Sequence, residues 1–283
     1  MSRFFIGIAF LLASISLRAQ TPVKFHDETS DTVRLNAILQ QVASLDDPNS
    51  RVEAIARQFI STPYVASTLE SADGVEILTV NLDEMDCTTF VETVMALAIS
   101  AGEQRMSWRD FLYNLQRVRY RSGTVVGYTS RLHYVSDWIV DNVHRGNFVE
   151  VTNLSDLSTY EVKTIDFMTQ NRELYPALAD SLSYARMRDV ETGYRSHRFP
   201  IIKSSRVAKA AKTFLKPGDI VALTTSKRGL DVSHLGIVVF VDQQPHLLHA
   251  SSSKKQVLID PLPLDRYLQR NRLAGIRVIR LAQ

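Results

Sequence analysis

Apolar positions fall in two rhythms along the chain. In the first half they recur every three or four residues, as on one face of a helix. Leu35, Ile38, Leu39, Val42 and Leu45 mark one such helix. Val52, Ile55, Ala56, Phe59 and Ile60 mark a second, with Ser50 and Glu53 in a capping-box spacing at its start. Thr62-Pro63-Tyr64 ends that helix, because the residue before a proline avoids helical geometry. A short strand is expected at about 75–82, then an apolar helix through Phe90, Val91, Val94, Met95 and Ala98. Amphipathic helices are expected over 107–120 and 136–144, the latter carrying Trp138, Ile139 and Val143. From about 150 to 215 the sequence is polar and mixed, and reads as loops and short helices inserted ahead of a sheet.

After the turn signal Pro217-Gly218-Asp219 the rhythm changes. Short β-branched runs at 220–224, 234–241, 246–250, 256–259 and 276–281 are separated by turn residues. Short strands with short connections favour an antiparallel sheet. Helices first and strands later imply an α+β fold and argue against a doubly wound parallel sheet.

Composition narrows the class. The 283 residues carry 45% hydrophobic and 22% charged side chains, ordinary globular usage that excludes a disordered or fibrous chain. A net charge of +3 gives no reason to expect nucleic acid or an anionic membrane surface as the main partner. One cysteine excludes a disulfide framework and any Cys-rich zinc or iron–sulfur site.

The first residues have a pattern of their own. Arg3, an apolar run from Phe4 to Leu17 and small residues near Ala19 describe a cleavable export signal over 1–19. The run is short for a membrane span and has no cysteine for lipid attachment, so no stable membrane anchor is expected. Loss of Arg3 and Arg18 takes the net charge from +3 to about +1. The mature chain, 20–283, is expected to be a single periplasmic or extracellular domain with a helical and loop insertion at about 100–215.

Export gives the lone thiol added interest, since exported proteins normally pair their cysteines. Cys87 stands where the polar Asp83-Glu84-Met85-Asp86 gives way to an apolar helix. Free N–H groups and the positive end of the dipole at a helix start can stabilise a thiolate nucleophile. A small buried hydrophobe is the other reading, and the residue's position leaves both open. A thiolate also needs a base, and the base an orienting partner. His234 and His249 lie on consecutive expected strands joined by a tight turn at 242–245, close enough for two imidazoles on one face to bond. Either histidine alone reads more readily as an ordinary half-buried strand residue. Cys87, His234 and His249 could also ligate zinc, but no compact His-x-x-x-His spacing supports a metal site.

Taken in order, Pro63-Tyr64, Asp86-Cys87-Thr88-Thr89-Phe90-Val91, Lys216-Pro217-Gly218-Asp219, His234-Leu235-Gly236-Ile237 and His249-Ala250-Ser251 resemble the motifs of NlpC-type cell-wall hydrolases, papain-like cysteine enzymes of bacterial peptidoglycan. The resemblance spans about 59–252. It is strongest to the secreted N-acetylmuramoyl-L-alanine amidase branch, which shares Leu69-Glu70, Arg131-Leu132-His133-Tyr134 and Asp137-Trp138. It implies a papain-like α+β fold with the nucleophile at a helix start, packed on a central antiparallel sheet. The usual small residues after the nucleophile are here Thr88-Thr89, and the usual glycines after the tyrosine are Ala66-Ser67. Both narrow the space near the thiol and argue against a broad endopeptidase specificity.

The resemblance further implies Cys87 as nucleophile, His234 as general base and His249 as its orienting partner. Tyr64 would serve the oxyanion together with the Cys87 N–H. Glu70, Asp86, Thr88, Arg131, His133, Tyr134, Asp137, Trp138 and Ser233 are the substrate-contact candidates, Arg131 by clamping a carboxylate and Trp138 by stacking on a sugar, although its helical spacing with Ile139 reads equally well as core. Muropeptides are the expected partner, and neither a cofactor nor a metal is required. The rival readings are γ-D-glutamyl–diamino acid endopeptidase and a non-catalytic peptidoglycan-binding protein.

Overall fold

In the computed structural model, which describes residues 22–71 and 74–282, each of the first three α-helices begins on an aspartate. After β1 (Val23–Phe25), the Asp27 side chain accepts from the Ser30 N–H and opens α1 (Glu28–Val42). Asp47 accepts from the Ser50 N–H and opens α2 (Pro48–Arg57), with Pro48 at the first helical position. The helix therefore starts one turn before the expected Ser50–Glu53 box. Of the strand expected at 75–82, only β2 (Leu78–Val80) forms, and it pairs in parallel with β1, apart from the main sheet. Asp86 then caps α3 (Cys87–Gly102), whose side chains from Thr89 to Ala101 are all buried. A helix apolar on every side must lie in the core. α4 (Trp108–Arg119) and α5 (Val135–His144) follow.

The stretch from 150 to 215 differs from the expectation of loops and short helices. Besides α6 (Phe167–Gln170), α7 (Ser181–Gly193) and α8 (Ser204–Thr213), it supplies strands to the main sheet. β3 (Phe148–Glu150) lies at its start, and β4 (Thr159–Lys163) and β5 (His197–Lys203) form a hairpin-like pair across the helices. β4 alternates half-buried and exposed residues without an apolar face, which hides it from a hydrophobicity pattern. The expected strands follow as β6 (Ile220–Thr224), β7 (Val232–Val241), β8 (Gln244–Ser251), β9 (Gln256–Pro263) and, after α9 (Leu264–Arg270), β10 (Gly275–Leu281).

The sheet runs β4-β5-β10-β6-β7-β8-β9, with β3 also on β10, and every pairing is antiparallel. Both faces are covered. Ile220 and Ala222 of β6 join the core under α1–α5, while Val221 and Leu223 pack with Val207 and Ala210 of α8 and Leu264 and Leu268 of α9. The alternation along the strand thus serves two cores, giving a mixed α+β structure with the sheet between helical layers. The motif Lys216-Pro217-Gly218-Asp219 fixes how β6 enters. Gly218 has φ +79°, and a Cβ there would lie 2.1 Å from the Asn49 carbonyl oxygen. Only glycine fits.

An ion pair is sealed inside the main core. Arg119 donates through Nε to Glu92 at 2.6 Å and through a terminal nitrogen to the Thr79 carbonyl at 2.6 Å, both side chains being 2% exposed. Burial pushes the Glu92 carboxyl up, and Arg119 pulls it back. Removing one partner leaves an uncompensated charge, so Arg119→Met should cost about 3–5 kcal/mol of unfolding free energy in urea titration. The double replacement Arg119→Met/Glu92→Met should recover most of that loss. A single variant within about 1 kcal/mol of wild type would show the pair to be inert.

The expected export segment, 1–19, lies outside the described residues. Among the described residues no helix is long and apolar enough to cross a membrane.

Candidate active site

Three neighbouring pieces of backbone build the site. The first is the cap of α3. Asp86 Oδ1 accepts from the N–H groups of Thr88 at 3.0 Å and Thr89 at 2.8 Å, and Thr89 Oγ1 accepts in return from the Asp86 N–H at 2.9 Å. This reciprocal box fixes Cys87 at the first helical position, half-buried. The second is the 63–65 segment. Met85 N–H donates to the Pro63 carbonyl at 3.0 Å and Val65 N–H to the Met85 carbonyl at 3.2 Å, which sets Tyr64 beside the cap.

The third piece is the β7–β8 hairpin. Asp242 (φ +49°) and Gln243 (φ +63°) form its two-residue turn, both in the left-handed region, as a type I′ turn requires. The turn is tighter than the expected 242–245. β7 pairs with β6 through Leu223 opposite His234 and Thr224 opposite Val232, leaving Ser233 as an extra, exposed residue. A bulge of this kind re-aims the side chain next to it. His234 Nε2 and His249 Nδ1 meet at 2.6 Å with the rings edge to face. His234 Nδ1 is thereby the nitrogen left to face another group.

The thiol lies at this junction. The Leu235 backbone, one residue past His234, and the Thr88 side chain both hydrogen-bond to Cys87 and lower its pKa. Burial and then the Asp86 charge outweigh them and push the thiol up to about 11. Burial likewise holds His234 down to about 4, and His249 to about 3 with the neighbouring imidazole adding to the shift. Burial thus favours the neutral thiol against the thiolate that a helix start can stabilise, and the neutral form of both imidazoles. Tyr64 lies close enough that its hydroxyl is held above its ordinary value, first by burial and then by the Cys87 and Asp86 charges.

A cavity of about 160 Å³ opens beside the cap, lined by Ser67, Leu69, Glu70, Asp86, Thr88, Thr89, Glu92, Arg131, Leu132 and His133. Leu69 and Glu70 also line a second cavity of about 450 Å³ that reaches Tyr128, Pro176 and Asp180. A cavity of about 480 Å³ between Arg51, Gly102 and Arg117 lies at the far end of α3, whereas the small cleft adjoins the Asp86–Thr89 cap that carries Cys87, so the small cleft is the better candidate. Among the described residues no group of three or more His, Cys, Asp and Glu is placed to hold a metal.

The substrate-contact candidates divide. Glu70, Asp86, Thr88, Arg131 and His133 line the cleft, and Ser233 is exposed at the bulge. Arg131 is already paired, donating to Glu70 at 2.7 Å and lying 3.2 Å from Glu76, and its guanidinium packs over Tyr128. It neutralises two carboxylates instead of standing free for one. His133 bonds the Tyr128 carbonyl at 2.9 Å, and burial holds its pKa well below the ordinary value. Three candidates are corrected to packing roles. Trp138 is 2% exposed with its ring 4.7 Å from Phe148, so it cannot stack on a sugar. Tyr134 is buried and donates to Glu191 at 2.7 Å. Asp137 is buried and accepts a bidentate pair from Arg121 and a bond from the Tyr194 hydroxyl at 2.9 Å. Thr89 and Ser67, read from the sequence only as narrowing the space near the thiol, line the cleft, and so does Glu92, which the sequence reading did not single out. Glu92, a lone charge inside an apolar helix, was the one readable signal.

Comparison with known proteins follows the same residues. The model of the N-acetylmuramoyl-L-alanine amidase-like (AmiA-like) family matches residues 54–276, which include Tyr64, Cys87, His234 and His249. No curated protein matches the chain. The fold is similar to an N-acetylmuramoyl-L-alanine amidase from Bacteroides uniformis, with TM-score 0.79 and 37% identity over 83% of this chain and 99% of that one. It is also similar to a Bacteroides fragilis protein described as a candidate xylanase, with TM-score 0.75 and 41% identity over 80% and 98% of the two chains. A Legionella pneumophila protein shares the fold at TM-score 0.71, with 19% identity over 90% and 96%. With the family model spanning most of the chain and solved relatives matched almost end to end, the chain belongs to the N-acetylmuramoyl-L-alanine amidase-like family.

Proposed function

We propose that the protein is an exported cysteine amidase of the NlpC, papain-like type that hydrolyses the N-acetylmuramoyl–L-alanine bond of peptidoglycan fragments, including fragments with an anhydro sugar end. The observation that carries this reading is the 2.6 Å bond between His234 and His249 beside a helix-start thiol, in a chain of an amidase-like family. Because thiol and imidazole rest neutral, attack is coupled to proton transfer. As Sγ adds to the lactyl carbonyl, its proton passes to His234, and His249 orients the resulting imidazolium. The Cys87 N–H, a free donor at the helix start, and the Tyr64 hydroxyl serve the oxyanion. His234 then protonates the departing L-alanine amine, and water releases the acyl group from sulfur.

Mass spectrometry of digested, defined muropeptides tests the reaction: a free peptide beginning with L-alanine is expected. Cleavage after the γ-D-glutamyl residue instead would make the protein an endopeptidase. The Cys–His chemistry makes a second expectation. EDTA should leave the rate unchanged, while iodoacetamide should destroy it, faster as pH rises and thiolate forms. Activity lost on chelation and restored by zinc would reverse the assignment.

A further inference from the structure

The His234–His249 pair ends on a buried atom without a partner. His249 is 1% exposed, its Nδ1 is taken by His234, and its Nε2 makes no hydrogen bond. The nearest carboxylate is Asp260, with Oδ2 at 3.8 Å from that Nε2. This is beyond hydrogen-bond range but within reach of a small side-chain shift.

The placement of Asp260 has a local cause. β8 and β9 pair Leu248 with Ile259 but His246 with Pro263, so β9 carries extra residues at 260–262. Leu258 lies opposite His249, so alternation along β9 puts Asp260, two residues on, on the His249 side at the start of this irregularity. Its Oδ1 accepts from the Leu262 N–H at 2.9 Å, and the Tyr267 ring closes over His249 at 5.4 Å. Among the described residues its one ion-pair partner is His249. A carboxylate 8% exposed without a lysine or arginine partner is costly, and the imidazole is what it faces.

Tautomers give this contact its meaning. For His234 to take a proton on Nδ1 and remain bonded through an Nε2–H, His249 must accept at Nδ1 and so carry its own proton on Nε2. The opposite tautomer would put a proton on His249 Nδ1 and leave His234 protonated at Nδ1, unable to act as base. We propose that Asp260 is a positioning residue: its carboxylate holds His249 in the Nε2–H tautomer and closes on it as positive charge develops on His234. The inference rests on the Cys87–His234–His249 reading. The negative charge a histidine cannot supply is then delivered one residue further out.

Asp260→Asn keeps the size of the side chain and an oxygen for the Leu262 N–H. It should lower kcat/KM about 10- to 100-fold, the scale at which partners that orient a reactive imidazole act. In a His249→Ala background the same change should cost no more than about 2-fold, the limit for residues that act through one another. Equal losses in both backgrounds would mean a structural role and overturn the inference. Nitrogen-15 NMR of the wild-type imidazoles is a second measurement, free of any folding defect. His249 should show a protonated Nε2 and a bare Nδ1, and a dominant Nδ1–H form would overturn the inference as well. If Cys87→Ala is inactive while Asp260→Asn keeps full kcat/KM, this inference alone falls. If Cys87→Ala stays active, the amidase reading falls with it.

Discussion

Cys87→Ala protein should fold as the wild type does and release no peptide from muropeptide. The fold should survive because alanine is the best helix former, adds no bulk and leaves the Asp86–Thr89 cap untouched. The chemistry should not, because no other cysteine exists to replace the lost sulfur. Removing the nucleophile of an acyl-transfer enzyme costs on the order of 10⁶-fold in kcat, so turnover should fall below detection. Circular dichroism would check the fold and mass spectrometry of one defined muropeptide the activity. Turnover near the wild-type rate would refute the nucleophile assignment.

His234→Ala should be nearly as severe, lowering kcat by roughly 10²–10⁴-fold through loss of both the base and the acid that protonates the leaving amine. The effect at His249 should be graded. His249→Ala leaves nucleophile and base in place and should retain more turnover than His234→Ala. His249→Asn or His249→Gln, which still offers a polar partner to His234 Nε2, should retain more again. The pH profile carries its own sign. With its pKa held down to about 4, His234 stays neutral and able to accept a proton until the pH falls through that value. The acid limb of kcat/KM should therefore lie well below that of an ordinary imidazole near 6.5. Steady-state kinetics on one muropeptide across these variants is the measurement. If His249→Ala proved inactive while His234→Ala stayed active, the two roles would be exchanged.

What the sequence revealed tracks how local each feature is. Helices α1–α5 and strands β6–β10 have caps, turn residues or apolar periodicity that can be read within a dozen residues. The closeness of His234 and His249 was readable because consecutive strands joined by a tight turn lie side by side, although the turn is two residues and not the expected 242–245. β4 and β5 were not, because their partners are each other and β10, far away in sequence. The substrate-contact candidates failed where residue type was read without burial. Trp138 and Tyr134 suit a sugar by chemistry, yet α5 turns them into the protein. The balance of forces on the thiol was hidden for a related reason: a helix dipole can be seen in sequence, but the desolvation that opposes it needs the packed neighbours.

The burial of α3 on every side has a consequence for motion. A helix with no solvent face has no partial opening that exposes its amides, so they should exchange with solvent only when the whole domain unfolds. Cys87 is anchored to the first turn of that helix, and His234 and His249 to central strands packed against it. The proposed reacting groups are thus bound to the slowest-opening part of the molecule. Adaptation to substrate is left to the rim, where Ser67, Leu69 and Glu70 sit on a loop that borders both cavities.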